Sequence, residues 1–384
     1  MLGHSDRTTF RARRPGGDAI IDEFERVCAR ETSPADYPLA ADVVRKVPIY
    51  DGAAVLALPA AAVRAEWCRV IGDGPGAFVI RGAVDIDAVD DMTALFYRIL
   101  DDERRGGHIE ADHFATHGSN SRIWNVIQKS ALIDPALFVR YHASPLLALA
   151  SEAWLGPWYQ ITTQVNIVHA GGKAQSPHRD YHLGFQTAVD VDRFPVHAHE
   201  LSKALTLQGA VAHTTMTLDS GPTMLLPYSQ TWVDGYRRWR DPEVAAVFAE
   251  RAVQLPLEVG DALFFNPGLH HAAGANRTDH DRVGNLFQIS SVMGIAMEAV
   301  DRYAIAAAVY PALLDADLDE RTLECAIAAS ADGYSFPSNV DTDPPIGGLA
   351  PQTAQALMAE ALKERWAPQQ FCVALEAHRL RRQP

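Results

Sequence analysis

The stretch from about residue 158 to residue 295 contains a series of short apolar or alternating segments, each bounded by turn residues. These segments cover residues 159–168, 205–216, 223–226, 262–265 and 283–292. Several short strands separated by Gly, Pro and Asp turns are typical of jelly rolls and barrels. The sequence therefore predicts a mainly β core in this part of the chain.

Helical periodicity predicts that helices flank this core on both sides. Apolar residues recur at helical spacing from Ile20 onwards and in the segments 87–100, 145–154, 296–314 and 351–366. The stretch 330–350 is rich in Pro, Gly, Asp and Ser, which predicts a loop that covers part of the molecule.

These patterns together predict one domain. We expect a flexible tail at residues 1–17 and a single domain at residues 18–384. Its β core is placed at about 158–295, with helical caps at 18–157 and 296–384.

Composition and charge argue against several classes of partner. The chain has 384 residues, 48% of them hydrophobic, and a formal net charge of −14 at pH 7. Binding to nucleic acid or to an anionic membrane needs clustered Lys and Arg, so neither is expected. The four cysteines are far apart without a Cys-x-x-Cys pair, and we expect free thiols in a cytoplasmic protein.

His178 and Asp180 form a His-x-Asp pair within the predicted core. Residues two positions apart on a strand point to the same side, as two ligands of a facial iron site must. With 15 histidines in the chain, about one such triplet is expected by chance. A third ligand is therefore expected near a later strand end, and the His270-His271 pair, after the Gly260-Asp261 turn, offers it.

A cationic side chain is also needed if such a site binds 2-oxoglutarate, because the distal carboxylate requires a counter-charge. Arg282 begins the next strand-like segment, and its planar fork can bind a carboxylate through two hydrogen bonds. Arg277 is the alternative, but it lies inside a predicted turn.

Two other histidines compete for the metal site. His270 is the neighbour of His271, and on a strand the two would point to opposite sides, so only one of them can be the third ligand. His108-Ile109-Glu110 is a second His-x-acid pattern, but it lies outside the β core among charged residues and is interpreted as a surface feature.

The segment from Gly260 to Arg282 resembles the phytanoyl-CoA dioxygenase family. That family shows a Gly-Asp turn, an apolar strand, a His, small residues, Gly-x-Asn-x-Ser/Thr and an Arg. The matching residues here are Gly260-Asp261, Ala262 to Phe265, His271, Gly274-Ala275-Asn276-Arg277-Thr278 and Arg282. The His178-x-Asp180 pair is similar to the family's His-x-Asp element, and the resemblance spans roughly residues 75–295.

The resemblance implies a double-stranded β-helix, a cupin-like jelly roll that uses Fe(II), 2-oxoglutarate and O₂. Carried over residue by residue, His178, Asp180 and His271 match the catalytic metal ligands, and Arg282 matches the 2-oxoglutarate anchor. The family's spacing to Gly274 and Asn276 fits His271 better than His270, which the resemblance therefore leaves as a structural or supporting residue. The common residue inside the family's triplet is Gln, where this chain has Arg179. The acyl-CoA substrate is therefore not carried over with the iron site.

Other polar and aromatic residues of the core are candidates for the cavity beside the iron. Gln164 and Asn166 are predicted to bind the co-substrate. Further candidates for pocket or substrate contacts are His169, Tyr181, His182, Gln208, His213 and Trp232. Outward-facing strand positions and core packing are equally common uses of such residues.

The sequence thus predicts an Fe(II)/2-oxoglutarate-dependent dioxygenase that hydroxylates an aliphatic C–H bond of a small metabolite or natural-product intermediate. Succinate and CO₂ are the expected co-products. Related iron halogenases lack the carboxylate that Asp180 provides, which favours hydroxylation, desaturation or ring chemistry over halogenation. The alternatives are a non-catalytic β-helix protein that binds a metal or ligand, an acyl-CoA hydroxylase of the same family, and a cupin-type oxygenase without 2-oxoglutarate. The sequence predicts no oligomeric state.

Overall fold

The computed structural model describes residues 17–107 and 119–384. The predicted tail lies outside these ranges except for its last residue, Gly17, which begins the first helix. The His108-Ile109-Glu110 pattern also lies outside them. None of the helices in these ranges is both long enough and apolar enough to cross a bilayer.

The strands form one large and one small sheet. The described strands are β1 (Asp42–Val44), β2 (Val47–Asp51), β3 (Ala77–Arg81), β4 (Asn120–Ile123), β5 (Gln160–Val168), β6 (Thr206–Ala212), β7 (Met224–Leu225), β8 (Ala262–Phe265), β9 (His271–Ala272) and β10 (Arg282–Ser290). The large sheet has the order β1-β2-β3-β8-β6-β10-β5-β4, and only β2 and β3 run parallel. The small sheet pairs β7 with β9, and single bridges from His178 to His271 and from Leu225 to Val253 extend it.

Helices precede the core strands, follow them and lie in the connections between them. Their bounds are α1 (Gly17–Cys28), α2 (Gly52–Leu56), α3 (Ala60–Gly72), α4 (Ile86–Arg105), α5 (Val126–Ile133), α6 (Pro135–His142), α7 (Pro145–Leu155), α8 (Ala188–Val191), α9 (Val196–Ala204), α10 (Gly235–Arg238), α11 (Pro242–Arg251), α12 (Arg302–Asp315), α13 (Glu320–Ser330), α14 (Ala354–Lys363) and α15 (Pro368–Arg382).

The two faces of the large sheet differ because side chains alternate along each strand. Leu207 of β6 and Phe287 of β10 belong to a buried apolar core that includes residues of α3, α4, α7 and α12. Their neighbours Gln208 and Gln288, which pair across β6 and β10, line a polar cavity. The helices therefore cover one face of the sheet, and the other face supplies side chains to a site.

A second apolar core joins the large sheet to the small one. Val79 and Leu263 of the large sheet share this core with Leu225 of β7 and with Leu257. Two sheets packed around a common interior, with helices outside, form the double-stranded β-helix that the sequence predicts, so the predicted fold class is confirmed.

The large sheet extends beyond the predicted β core. Its strands β1 to β4 come from residues 42–123, inside the segment 18–157 that was predicted as a helical cap. These strands have three to five residues each, and such short segments show little periodicity. The division into one domain remains a prediction.

The C-terminal region differs from the prediction in two places. The helix expected from residue 296 begins at Arg302, because the Asp301 carboxylate accepts a hydrogen bond from the Ala304 backbone N–H and caps α12 there. The loop expected over 330–350 is irregular apart from a short turn at Ile346–Gly348. None of its residues lines the cavity described below, so it does not cover the site.

Candidate active site

His178 and His271 face each other across the edge of the small sheet. The His178 N–H donates to the His271 carbonyl at 2.9 Å, and the His271 N–H donates to the His178 carbonyl at 3.0 Å. Directly opposed antiparallel residues place their side chains on the same side, and the two ring centroids are 4.4 Å apart. His178 pairs through this single bridge rather than within the strand that the sequence predicted.

The carboxylate of Asp180 lies between the two imidazoles. Its Oδ1 is 3.7 Å from His178 Nε2, and its Oδ2 is 3.4 Å from His271 Nε2. One donor atom from each residue can be chosen so that all three lie within 4.8 Å of one another. The three residues predicted from the sequence are therefore brought together at one point.

Backbone carbonyls fix the orientation of both imidazoles. His178 Nδ1 is 2.9 Å from the Ser176 carbonyl oxygen, and His271 Nδ1 is 2.9 Å from the Leu269 carbonyl oxygen. A carbonyl can only accept, so each Nδ1 carries the proton and each Nε2 presents a lone pair towards Asp180. Metal-binding histidines are commonly oriented through such a second hydrogen bond.

The pKa values of His178 and Asp180 are shifted towards the protonation states that a bound cation requires. Burial lowers the pKa of His178, which favours the neutral ring. Burial alone would raise the pKa of Asp180, but His178, His271 and the Gln208 amide together hold that pKa below its ordinary value. Gln208 Nε2 donates to Asp180 Oδ2 at 2.5 Å.

The three residues line a cavity of about 430 Å³. Ligand pockets typically measure roughly 300–1,000 Å³, so the cavity suits a small molecule. The predicted residues Gln164, Asn166, Gln208 and Arg282 also line it.

Arg282, the first residue of β10, lies buried in the cavity wall. Its Nη1 donates to the carbonyls of Ser220 and Gly274, at 3.3 and 3.4 Å. Among the described residues no carboxylate forms an ion pair with it, and burial lowers its pKa to about 10, which leaves it charged at neutral pH. Its competitor Arg277 is instead exposed and pairs with Asp219 at 3.3 Å.

The turn before Arg282 is held by the buried side chain of Asn276. Its Nδ2 donates to the carbonyls of Val168, His169 and His280, at 3.0, 3.2 and 2.8 Å. Its Oδ1 accepts from the Thr278 backbone N–H and hydroxyl, at 3.1 and 2.6 Å. This gives a physical reason for the Gly-x-Asn-x-Thr pattern in the sequence.

Arg179 points away from the cavity floor that its two neighbours form, into the protein interior. Its guanidinium donates to the carbonyls of Ser229 and Trp232 and to His270 Nδ1, the last at 3.2 Å. It also lies 5.3 Å from the centroid of the Tyr236 ring. His270 is thereby occupied as a partner of Arg179, which agrees with its interpretation as a supporting residue.

Five of the further candidates do not line the cavity. These are His169, Tyr181, His182, His213 and Trp232. His169 instead contacts Ser121 and Asp281 at 2.9 and 3.1 Å, and Trp232 packs in an apolar core. The hypothesis that they contact the substrate is therefore not supported.

The sequence reasoning missed several lining residues. Arg122 of β4 donates to Gln164 Oε1 at 2.9 Å, and Trp239 and Arg240 follow α10. Phe185, Leu286 and Met297 add apolar surface. These residues lie in segments without a recognised motif, and only the Trp-Arg pair at 239 and 240 could have been noted as a possible anion-binding element.

Comparison with known families gives one match. A family model described as Phytanoyl-CoA dioxygenase (PhyH) matches residues 73–284, more than half of the chain, and this range includes His178, Asp180, His271 and Arg282. A search of curated proteins found no significant match.

Solved structures show weaker similarity. The epimerase SnoN, in complex with Fe³⁺, alpha ketoglutarate and nogalamycin RO, is 19% identical with a TM-score of 0.46, over 64% of this chain and 90% of that one. The alpha-ketoglutarate-dependent carbocyclase SnoK from nogalamycin biosynthesis is 16% identical with a TM-score of 0.42, over 59% and 83% of the two chains. At these values no activity or ligand is assigned to the present chain from either structure.

Proposed function

Because the chain belongs to the phytanoyl-CoA dioxygenase family, we propose that it oxidises an aliphatic C–H bond of a small molecule, with hydroxylation as the outcome and succinate and CO₂ as co-products. His178, Asp180 and His271 are the proposed Fe(II) ligands. The observation that carries this proposal is the convergence of their three donor atoms, within 4.8 Å, on the wall of a cavity.

Membership of this family confirms the predicted enzyme class and cofactors, but not the individual residues or the substrate. The chain is an oxygenase of the class that depends on non-haem iron and 2-oxoglutarate, with O₂ as the oxidant, and the predicted enzyme class and cofactors are confirmed at that level. The ligand residues, the substrate and the cytoplasmic location remain predictions.

The donor set fits Fe(II). Two neutral imidazoles and one carboxylate on one side of the metal are the ligands of non-haem Fe(II) oxygenases, which leave the other coordination positions open. The Nδ1 protons of His178 and His271 are already held by carbonyls, so neither ring must change tautomer to offer Nε2. Gln208 holds one oxygen of Asp180 and limits its rotation.

Bound iron supplies the activation of O₂ that removes a hydrogen atom from the substrate. The protein orients the ligands and the substrate and excludes water. Asp180 occupies the ligand position that halogenases of this type leave free for a halide. Its presence favours hydroxylation, desaturation or ring chemistry.

Arg282 is the proposed partner of the 2-oxoglutarate C5 carboxylate. Two carbonyls hold its Nη1, which fixes the plane of the fork, and no described carboxylate neutralises it. A buried cation without an acidic partner is costly, and a bound carboxylate would remove that cost through charge-assisted hydrogen bonds.

Asn166 and Gln164 are proposed to assist in binding the co-substrate. Asn166 Oδ1 is buried without a hydrogen-bond partner, and an amide at this place can present its N–H₂ group to a carboxylate. Gln164 Oε1 accepts from Arg122, and its Nε2 is a buried donor without a hydrogen-bond partner that can donate to a carboxylate. Both amides are therefore assigned to the co-substrate.

The experiment that tests the site is anaerobic addition of Fe(II) and 2-oxoglutarate to the metal-free protein. Chelation of iron by the co-substrate should produce a visible charge-transfer band. His178→Ala should abolish the band because it removes one of three ligands, whereas His197→Ala should keep it, since His197 is an exposed histidine outside the cavity. A folded wild-type protein without the band, or a band retained in His178→Ala, would contradict the proposal.

The variant Arg282→Ala, measured in the same assay, distinguishes a 2-oxoglutarate-dependent enzyme from an oxygenase that does not use this co-substrate. Loss of a charged hydrogen-bonding partner is worth about 1.5–3 kcal/mol, or roughly ten- to a hundredfold in 2-oxoglutarate affinity. Arg277→Ala is the matched control. Unchanged 2-oxoglutarate affinity in Arg282→Ala would favour an oxygenase that works without this co-substrate, and metal binding without succinate formation would favour a binding protein.

A further inference from the structure

Trp239 and Arg240 bring two donor groups to the cavity that have no acceptor in the described protein. Trp239 Nε1 is buried without a hydrogen-bond partner. The guanidinium of Arg240 lies 3.8 Å from the centroid of the Trp239 ring, and the residue is exposed. A buried N–H without an acceptor costs free energy, so the indole N–H of Trp239 indicates a ligand, and the guanidinium stacked on its ring can contact the same ligand.

The lack of a partner for Arg240 contrasts with the arginines beside it. Arg237 contacts Asp192 at 2.6 Å and Asp234 at 3.2 Å, and Arg238 contacts Asp241. Arg240 makes no ion pair with any described carboxylate. The three arginines lie close together in sequence, but only the one that lines the cavity is left without a counter-charge.

The cavity as a whole favours anions, although the chain carries a net charge of −14. Among the described residues, Asp180 is the one acidic residue that lines it, against the arginines at 122, 240 and 282. Iron and 2-oxoglutarate account for Asp180 and Arg282 in the proposed function. Arg240 is not used by either.

Apolar side chains lie in the same wall. Phe185 and Met297 line the cavity, although 46% and 39% of their surfaces are exposed, and Leu286 of β10 lines it as well. A site that combines such apolar groups with a few converging donors selects an amphipathic ligand.

The Trp239–Arg240 pair is fixed relative to the proposed iron ligands. Tyr236, in the helix α10 that precedes the pair, donates from its hydroxyl to the Asp180 carbonyl at 3.1 Å. Arg282 lies elsewhere, at the start of β10 in the large sheet. The cavity therefore has two cationic positions on different elements, enough for two separate anions.

We propose that Trp239 and Arg240 bind the anionic group of a compact, largely apolar substrate whose carbon skeleton lies against Phe185, Leu286 and Met297. The inference rests on the proposed function and names the substrate class of that same cavity: small amphipathic organic anions, with carboxylates foremost. Arg240 stacks on the indole, and the indole N–H and the guanidinium together receive the anion.

A matched pair of fluorescent probes tests the inference on the full chain, with and without Ni(II) and 2-oxoglutarate. 8-Anilinonaphthalene-1-sulfonate carries an anionic group, and N-phenyl-1-naphthylamine has the same skeleton without it. We expect the anion to bind at least threefold more tightly. Arg240→Gln should remove that preference, and Trp239→Phe should reduce it, while the neutral probe binds equally to all forms.

Two further arms identify the ligand chemistry and the site. Arg193→Gln, which changes an exposed arginine outside the cavity, should leave both affinities unchanged. 1-Naphthoate should displace the bound sulfonate, and 1-naphthamide should not. Equal affinity for the two probes, an Arg240→Gln variant that keeps the preference, or displacement by free coenzyme A but not by 1-naphthoate would overturn the inference.

The probe-binding experiment and the charge-transfer experiment can fail separately, so each tests its own proposal. If the charge-transfer band forms but Arg240→Gln leaves probe binding unchanged, only the substrate assignment fails. If the band is absent but the anion preference depends on Arg240, the proposed function fails and the anion site remains.

Discussion

The triplet at residues 178–180 shows how neighbouring side chains can have opposite tasks. His178 and Asp180 point to the cavity, and Arg179 between them points into the interior. Its guanidinium links the Ser229 and Trp232 carbonyls to His270, the neighbour of the third proposed ligand. A buried cation thus holds together the two segments that carry the proposed iron ligands.

Gly235 has no side chain, and the Arg179 guanidinium occupies the space where a Cβ would lie. A double-mutant cycle tests whether the two side chains compete for this space. A Cβ at this position would lie 1.8 Å from Arg179 Cζ. We expect Gly235→Ala to lower the free energy of unfolding by about 1–3 kcal/mol through overpacking, and Arg179→Ala to lower it by about 2–4 kcal/mol through lost hydrogen bonds and packing. In the double variant the glycine substitution should cost much less, because the collision is gone.

Urea unfolding of the four proteins measures this coupling. Arg193→Ala, at an exposed position, serves as the control and should change stability by less than about 0.5 kcal/mol. Strictly additive effects of the substitutions at 179 and 235 would show that the two side chains do not compete for one space.

At the same scale, alternation and spacing were enough to place part of the site. Alternation showed that only one of His270 and His271 could be a ligand, and the spacing of the family's motif selected His271. Arg282 was preferred to Arg277 because Arg277 lies in a predicted turn, and the structure brings both His271 and Arg282 into the cavity. The sequence shows Trp239 next to Arg240, but the absence of a counter-charge for Arg240 becomes visible only when the structure shows Arg237 and Arg238 paired with carboxylates.

At the scale of elements, the sequence predicts best where burial is one-sided or continuous. The long strands β5 and β10 and the helices α4 and α7 are close to their predicted bounds. The strands β1, β2 and β4 were missed because they are short and lie before the series of turn-bounded segments that identified the other short strands. The helices α13 and α15 lie within the predicted C-terminal helical cap, but neither was predicted as a separate helix.

The turn between β9 and β10 sets the position of Arg282, and the hydrogen bonds of the Asn276 side chain hold the conformation of this turn. Asn276→Ala removes three hydrogen bonds to backbone carbonyls and two from Thr278, so we expect a loss of about 2–4 kcal/mol in unfolding free energy. We also expect weaker 2-oxoglutarate binding, because Arg282 would no longer be held in place. Arg277→Ala, in the same turn but exposed, should do neither, as urea unfolding and the charge-transfer titration will measure.

At the scale of the whole molecule, a buried polar network connects two helices to the large sheet. His213 Nδ1 is 2.7 Å from the Thr93 hydroxyl, and Nε2 is 2.7 Å from the Tyr141 hydroxyl. Thr93 donates to the Val89 carbonyl and therefore accepts from Nδ1. The ring is held as a neutral tautomer, and burial lowers its pKa to about 3.

This histidine should make stability depend on pH. Its folded pKa is below the unfolded value of about 6.5, so the unfolded state binds the proton first, and stability is lost as pH falls from about 6.5 towards 3. At pH 5 the loss reaches about 2 kcal/mol from this residue. His213→Asn should be less stable at pH 7 but lose less stability between pH 7 and pH 5, and an equal loss in both proteins would contradict this role.

The central claim is that His178, Asp180 and His271 hold a catalytic iron beside a 2-oxoglutarate bound by Arg282. The most direct measurement is anomalous scattering at the iron edge from crystals prepared anaerobically with Fe(II) and 2-oxoglutarate. We predict one iron peak at bonding distance from His178 Nε2, His271 Nε2 and an Asp180 oxygen, with the C5 carboxylate of 2-oxoglutarate on Arg282. An iron peak bonded to other residues, or none in this cavity, would contradict the claim.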